Sequence, residues 1–369
     1  MADELRDLTL RDLGERRIVQ ELIAPRFPPL AEHIVGIGDD CAVLPSPPSG
    51  HALVVTTDPC PEPVVCLLEG TDFYHWGRMT VLINLSDLAA MGARPLGLLV
   101  STVMPEVMPV AHYVRFLDGL AEACREWSCP VVGGNIKDGP AFTATGSALG
   151  TVQEEKLLRR TGAAPGDRVL VIGEMGLFWS AVLTRLLPET RLDATDQQLI
   201  DRALYRPIAR IQEGIALAHE GGATACMDSS DGVAGCLQEL ALVNGADIVV
   251  DVQRLYPNPA VSRVAEKAGV DPRKLLLSWG DWQLVATVPP MAVRQVTNRM
   301  ASFGTLVADI GEVVTGTGKV WLTEKGRLGV LPNLASERFC KTSMFTHGLG
   351  AYLDLLRSGP LILSEEAAR

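Results

Sequence analysis

Four short segments set carboxylates among small or apolar residues: Gly36-Ile37-Gly38-Asp39-Asp40-Cys41-Ala42-Val43-Leu44, Thr56-Thr57-Asp58, Asn84-Leu85-Ser86-Asp87 and Asp228-Ser229-Ser230-Asp231-Gly232. Any one Asp in such a setting reads as a helix cap or turn residue. The set as a whole reads differently. Two unit charges about 4 Å apart repel by roughly 4 kcal/mol at an effective dielectric near 20, so carboxylates that meet in a fold require a cation. Hard oxygen ligands of this kind suit Mg²⁺, which binds a few carboxylates together with substrate phosphates.

Other chemistries leave no mark. There is no Gly-x-x-x-x-Gly-Lys-Ser/Thr loop, and Gly316-Thr-Gly-Lys319 has the wrong spacing for one. No protein-kinase signature and no Gly-x-Ser-x-Gly elbow is present. The six histidines lack metal-ligand spacing, and His33, His51 and His219 read as surface or packing residues.

The 369 residues suit two domains with full cores, being 47% hydrophobic and 21% charged. A net charge of -11 without a long basic run argues against a nucleic-acid surface. It leaves room for a nucleotide that enters with Mg²⁺. Eight cysteines include no Cys-x-x-Cys pair and read as reduced, mostly buried thiols of a cytoplasmic protein. Met1–Arg17 is charged and lacks the apolar core of a signal peptide. The most apolar stretch, 81–104, is broken by Asn84, Asp87 and Arg94, so no membrane span is expected.

The elements that must hold these segments alternate. An amphipathic helix is expected over 13–24, stopped by Pro25. A strand over 52–58 delivers Asp58, and Pro59–Pro63 should be irregular. A helix apolar on nearly every face runs over 76–91, with Gly92 as its cap and Asp87 inside it. Strands follow at 96–104, 130–135 and 141–152, with a helix over 110–127 between the first two. Thr161-Gly-Ala-Ala-Pro-Gly-Asp167 interrupts the pattern and marks a boundary. Beyond it, strands are expected at 168–173, 223–228, 247–252, 284–288 and within 311–322. Helices are expected at 177–187, 196–205, 208–220, 233–243 and, after an irregular stretch, 350–357.

The segments at 36–44, 56–58 and 228–232 resemble, in order, the signature series of the thiamine-monophosphate kinase family. So do Asn84-Leu-Ser-Asp-Leu-Ala-Ala-Met-Gly-Ala-Arg-Pro95, Gly133-Gly134-Asn135 and Arg159-Arg160-Thr-Gly-Ala-Ala-Pro-Gly-Asp167. That family is related to aminoimidazole ribonucleotide (AIR) synthase, selenophosphate synthetase and the hydrogenase maturation factor HypE. The resemblance implies a two-domain α+β, AIR-synthase-like fold: an N-terminal ATP- and Mg²⁺-binding domain over 1–155 that dimerises through its sheet, a C-terminal domain over 156–332, and a tail over 333–369. It implies transfer of the ATP γ-phosphate to thiamine monophosphate. By position, Asp39, Asp40, Thr57, Asp58, Asp87 and Asp228 would hold metal. Gly133, Gly134, Asn135, Arg160 and Ser230 would hold the nucleotide. Asp231 and Arg160 would act at the transferring phosphate.

The chain also departs from the family, at Asn135 in a way that should weaken one metal site and at 278–284 on the acceptor side. The family reads Gly-Gly-Asp-Thr where this chain has Gly133-Gly134-Asn135-Ile136, and Gly-Gly-Glu-Asp-Tyr-Glu-Leu where it has Ser278-Trp279-Gly280-Asp281-Trp282-Gln283-Leu284. The family's His-Phe pair is replaced near Val65-Cys66, and its aromatic C-terminal motif is blurred at 344–348. The expectation is therefore an ATP- and Mg²⁺-dependent phosphotransferase and homodimer whose small phosphorylated acceptor differs. Trp279 and Trp282 could stack on a flat ring or serve as core aromatics. The alternatives are an AIR-synthase-like ATP-dependent ligase or cyclase and a non-catalytic nucleotide-binding relative.

Overall fold

The computed structural model describes residues 8–28, 37, 41–334 and 344–362. The chain divides into two compact units, residues 1–88 with 93–157 and residues 89–92 with 158–369.

The first unit is built on four strands, β1 (His51–Cys60), β2 (Arg94–Met104), β3 (Val131–Asp138) and β4 (Thr143–Gln153). They lie in the order β1-β4-β2-β3, with β2 and β3 parallel and the other pairs antiparallel. Helices Phe73–Ala90 and Val110–Glu126 cover one face. The first is apolar on nearly all sides, and Val81, Leu82, Leu85, Leu88 and Ala89 are at most 1% exposed. A helix hydrophobic all round has to be buried. It begins three residues before the expected Trp76 because the Asp72 carboxylate accepts the Tyr74 N–H at 2.9 Å. Its C-terminal end turns at Gly92, with φ +68°.

Two expectations are corrected here. β1 does not stop at Asp58 but continues through Pro59 to Cys60. Among the described residues it is an edge strand that pairs with β4 alone, and edge strands tolerate proline. The single helix expected over 13–24 is instead a series of turns, Leu10–Leu13, Glu15–Arg17, a π-helical Ile18–Ile23 and a 3₁₀ turn Ala24–Arg26. Gly14, at φ +72°, breaks the run, and Pro25 sits inside the last turn.

Among its described residues the second unit holds seven strands, β5 (Arg168–Ile172), β6 (Ala225–Asp228), β7 (Ala246–Asp251), β8 (Leu284–Val288), β9 (Val307–Thr315), β10 (Val320–Glu324) and β11 (Arg327–Val330). Their order is β11-β10-β7-β9-β5-β8-β6. Every pairing is antiparallel except β7 with β10. The region expected to hold strand over 311–322 is thus two strands joined at Gly316–Lys319. There the Asp247 carboxylate accepts N–H bonds from Thr317, Gly318 and Lys319 at 2.7–3.0 Å. This backbone nest, a common seat for phosphate, is filled by the chain's own carboxylate. Among the helices that escape the periodicity reading are Val64–Glu69, Pro259–Ala268, Pro272–Leu277 and Val293–Ala301. The tail helix runs over Met344–Arg357, longer than expected, and contains a non-helical Gly348. Among the described residues no helix is long and apolar enough to cross a membrane.

Candidate functional site

Sheet register aligns the motifs of the first unit. Asp58 pairs with Gly146, Gly146 with Val100, and Val100 with Gly134. The flanking rows run Thr57–Ser147–Leu99–Gly133 and Pro59–Thr145–Ser101–Asn135. Side chains alternate between faces along a strand, so Thr56 and Asp58 share the helix-covered face while Thr57 lies on the other.

On the helix-covered face the Thr56 hydroxyl donates to Asp87 Oδ2 at 2.5 Å. The Asp58 N–H donates to Asn84 Oδ1 at 3.2 Å, and the Asn84 amide donates to the Thr80 carbonyl at 2.9 Å. Asn84 is fully buried. Its amide fills the space a side chain at Gly146 would need, since a Cβ there would lie 2.2 Å from Asn84 Nδ2. The family-like Asn-Leu-Ser-Asp run therefore does two jobs one helical turn apart: Asn84 fixes the helix on the sheet, and Asp87 stays half-buried beside Thr56. Among the described residues Asp87 is engaged by this hydroxyl and by no basic side chain.

On the opposite face the Thr57 hydroxyl bonds Ser147 Oγ at 2.8 Å and the Gly146 carbonyl at 3.0 Å. At the β3 edge Gly133, Gly134, Asn135, Ser101, Thr145 and Ser147 line a cavity of about 730 Å³ together with Ile37, Cys41 and Ala42, and it reaches Tyr113, Phe116 and Leu120 of helix Val110–Glu126. The backbone of β3 is bare at this point. Gly134 cannot be otherwise, because a Cβ would lie 1.9 Å from the Val100 carbonyl oxygen. Asp39 and Asp40 lie outside the described residues, although their neighbours Ile37, Cys41 and Ala42 border the cavity.

In the second unit Asp228 ends β6 and is buried, as is Ser229, whereas Ser230 and Asp231 are exposed at the start of helix Gly232–Asn244. Arg160 is exposed, with its guanidinium 3.8 Å from Glu239 and its carbonyl bonded by Asn244. The residues of 278–283 turn inward. Trp279 packs among Phe178, Trp179 and Tyr352. Gln283 is fully buried, its carbonyl accepts the Ser229 N–H, its own N–H donates to Ser229 Oγ, and its side-chain amide donates to the Glu174 carbonyl at 3.0 Å. Trp282 is half-buried with φ +55°.

Motif reading includes Thr56 and Asn84 without giving them a role, and it passes over Ser101, Thr145 and Ser147. Their signal is register, which the sequence carries only jointly with β4. The oxygens that share a face in the first unit, Asp58, Asp87 and Thr56, form a hard donor set that fits Mg²⁺. Among the described residues no group of three or more His, Cys, Asp or Glu that could hold a metal ion is present.

Asp281 titrates unusually. Its two oxygens accept the N–H groups of Gly176 and Phe178 at 2.6 and 2.7 Å, capping helix Leu177–Leu186. Burial pushes its carboxyl up to about 7, with the two backbone bonds and Arg210 acting against that rise and Glu174 adding to it. The unfolded chain releases this proton near 3.8 and the folded chain only near 7. Stability contributed by this group is therefore complete below about pH 4 and falls as pH rises towards 7. Urea denaturation at several pH values should show a slope approaching about 1.4 kcal/mol per pH unit that Asp281→Asn removes. Parallel slopes in the two proteins would overturn the assignment.

Residues 38–152 match the model of the AIR synthase related protein N-terminal domain, and residues 164–322 that of the C-terminal domain. The thiamine-monophosphate kinase of Corynebacterium glutamicum is 31% identical over 293 residues, 76% of this chain and 83% of that protein. The chain belongs to the thiamine-monophosphate kinase family. This is a family of ATP-dependent kinases, and its two-domain α+β architecture is the one the motifs imply. The structure of thiamine-monophosphate kinase from Stenotrophomonas maltophilia superposes with a TM-score of 0.70 at 27% identity, covering 80% of this chain and 93% of that one. AaThiL complexed with AMPPCP and TMP superposes with a TM-score of 0.67 at 26% identity, covering 90% of this chain and 99% of that one.

Proposed function

We propose that this family member is a Mg²⁺-dependent phosphotransferase that passes the γ-phosphate of ATP to a small phosphorylated acceptor, and that its acceptor contacts depart from those of its thiamine-monophosphate kinase relatives. The observation that carries the reading is the sheet register, which puts Asp58 on the face where Thr56 meets Asp87 and the bare Gly133–Gly134 backbone on the Thr57 and Asp58 rows. Phosphoryl transfer depends on positioning and charge neutralisation, which bound Mg²⁺ supplies. Asp58 and Asp87 are the proposed metal-side oxygens of the first unit, with Asp39 and Asp40 proposed from family position; the Thr57 hydroxyl, proposed on the same ground, lies on the opposite face of the sheet, bonded to Ser147 and the Gly146 carbonyl. Gly133, Gly134 and Asn135 would admit nucleotide phosphates to the backbone of the first unit; in the second unit, taken by itself, family position proposes Arg160 and Ser230 for nucleotide phosphate, Asp228 for metal and Asp231 for orienting the transferring group. The AMPPCP and TMP bound by AaThiL support ATP as the donor.

The altered acceptor is supported by the inward orientation of Trp279 and Gln283. Both are taken up by internal packing where the family's segment is acidic and Tyr-bearing. We further propose a cytoplasmic homodimer joined through the open face of the four-stranded sheet, where Leu53 and Val55 are 50% and 60% exposed.

The test is ADP formation from MgATP with thiamine monophosphate and with a panel of other phosphorylated heterocycles, alongside thermal shifts. MgATP should raise Tm, and thiamine monophosphate should be outperformed by another acceptor. Failure of MgATP to bind would overturn the phosphotransferase. Thiamine monophosphate as the best acceptor would overturn the altered specificity.

A further inference from the structure

The segment beyond Pro332 has no assigned role, yet its helix is fastened to the second unit by unusual means. Lys274 is only 2% exposed. Its ammonium donates to the carbonyls of Leu356, Ser358 and Gly359 at 3.1, 2.5 and 2.9 Å. It thereby satisfies carbonyls left open at the C-terminus of helix Met344–Arg357, where the helix dipole also favours a cation. Arg357 adds a bond to the Ala268 carbonyl at 2.9 Å. The Tyr352 ring stacks on Trp179 at 4.5 Å and meets Trp279 edge-on at 5.7 Å, while its hydroxyl donates to the Leu334 carbonyl.

The segment seated by this helix is the one that holds the Asp228–Asp231 loop. Ser278 bonds the Lys274 carbonyl at 2.7 Å. The Ser278–Trp279 peptide lies flat against Gly232, where a Cβ would come within 2.8 Å of Trp279 N. Gly232, at φ +91°, in turn donates its N–H to the Ser229 carbonyl at 2.9 Å. At the other end of the segment Gln283 N donates to Ser229 Oγ at 2.8 Å, Ser229 N donates to the Gln283 carbonyl at 2.9 Å, and the Ser229 hydroxyl donates to Gln283 Oε1. The loop is thus gripped at Ser229 and at Gly232 by one six-residue stretch.

We propose that helix Met344–Arg357 is a strap that positions the Asp228–Asp231 loop, by seating the Ser278–Gln283 segment against it. Lys274, Tyr352 and Gln283 are positioning residues in this scheme. That the loop meets phosphate rests on the function proposed above, whereas the strap can be tested without it.

The experiment is hydrogen–deuterium exchange by mass spectrometry on the full chain. In Lys274→Met and Tyr352→Leu, peptides spanning 229–236 should exchange about tenfold faster or more, while helix Phe73–Ala90 keeps its wild-type rate. Tyr352→Phe, which keeps the ring on Trp179, should stay within about twofold of wild type. Gln283→Leu cuts the link without touching the strap, so 229–236 should loosen while 344–357 stays protected. Should Tyr352→Leu fail to fold, Lys274→Met and Gln283→Leu decide the matter. Loss of protection at 344–357 with wild-type protection at 229–236 would overturn the strap, as would an unchanged loop in Gln283→Leu. Adding MgATP to wild type separates the two readings. Absence of any MgATP-dependent protection at 229–236 would count against phosphate contact at the loop and leave the strap result standing.

Discussion

Replacing Asp87 with alanine should lower MgATP affinity by about a hundredfold or more, the upper end of what loss of a metal's supporting group costs, with the fold intact. The carboxylate is half-buried and shares a face with Asp58, and its described partner is the Thr56 hydroxyl. Removing it forfeits that charge-assisted bond, worth about 1.5–3 kcal/mol, and relieves like-charge repulsion with Asp58 in the metal-free protein. The two terms oppose, so Tm without ligand should move little. Asp87→Asn keeps an acceptor for Thr56 and removes only the charge, so it should lose MgATP affinity to a similar degree. Calorimetric titration with and without Mg²⁺ reads both variants. Unchanged affinity in both would remove Asp87 from the metal set. Asp39→Ala tests the Gly-Ile-Gly-Asp-Asp segment in the same assay and should behave alike.

The alternation of strands and helices in the first 150 residues is legible because each element is bounded by a glycine, a proline or a motif carboxylate. The faces are not. Thr56 and Thr57 are adjacent and chemically identical, and which of them meets Asp87 is settled by the pairing of Asp58 with Gly146, a contact between residues far apart in sequence. A slip of one residue would exchange their roles. The helices at Pro259–Ala268 and Pro272–Leu277 carried a readable signal, since Asn258 and Asp271 cap them and proline occupies the first turn of each. They are short, and hydrophobic periodicity alone passes over them. The fate of Trp279 and Gln283 was beyond local reading. An aromatic and an amide on either side of Asp281 suggest ligand contacts equally well as packing, and only the docking of Tyr352 and the pairing with Ser229 turn both inward. Lys274 is the clearest case. A buried lysine is unreadable until the carbonyls that receive it are known.

Gly77→Ala should destabilise the first unit by about 3 kcal/mol, the upper part of the usual range for overpacking, and so lower its Tm by roughly 6–12 °C. Helices Phe73–Ala90 and Val110–Glu126 touch backbone to backbone at a pair of glycines. A Cβ at Gly77 would lie 2.0 Å from the Phe116 carbonyl oxygen, and one at Gly119 would lie 2.0 Å from that of Tyr74. Neither obstacle is a flexible side chain, so the helices must part. The gain in helix propensity from glycine to alanine is about 1 kcal/mol and cannot offset this. Gly350→Ala is the matched control: it is exposed, lies in helix Met344–Arg357, and a Cβ there meets nothing within 4 Å, so it should be neutral or slightly stabilising. The functional consequence separates this variant from Asp87→Ala. Parting the helices lifts Asn84 from the notch at Gly146 and carries Asp87 away from Thr56, so Tm and MgATP affinity should fall together, whereas removing the carboxylate lowers affinity alone. A wild-type Tm in Gly77→Ala would mean that the two helices separate at no cost, and the rigid seat assigned to Asp87 would then have to come from the sheet rather than from the helix crossing.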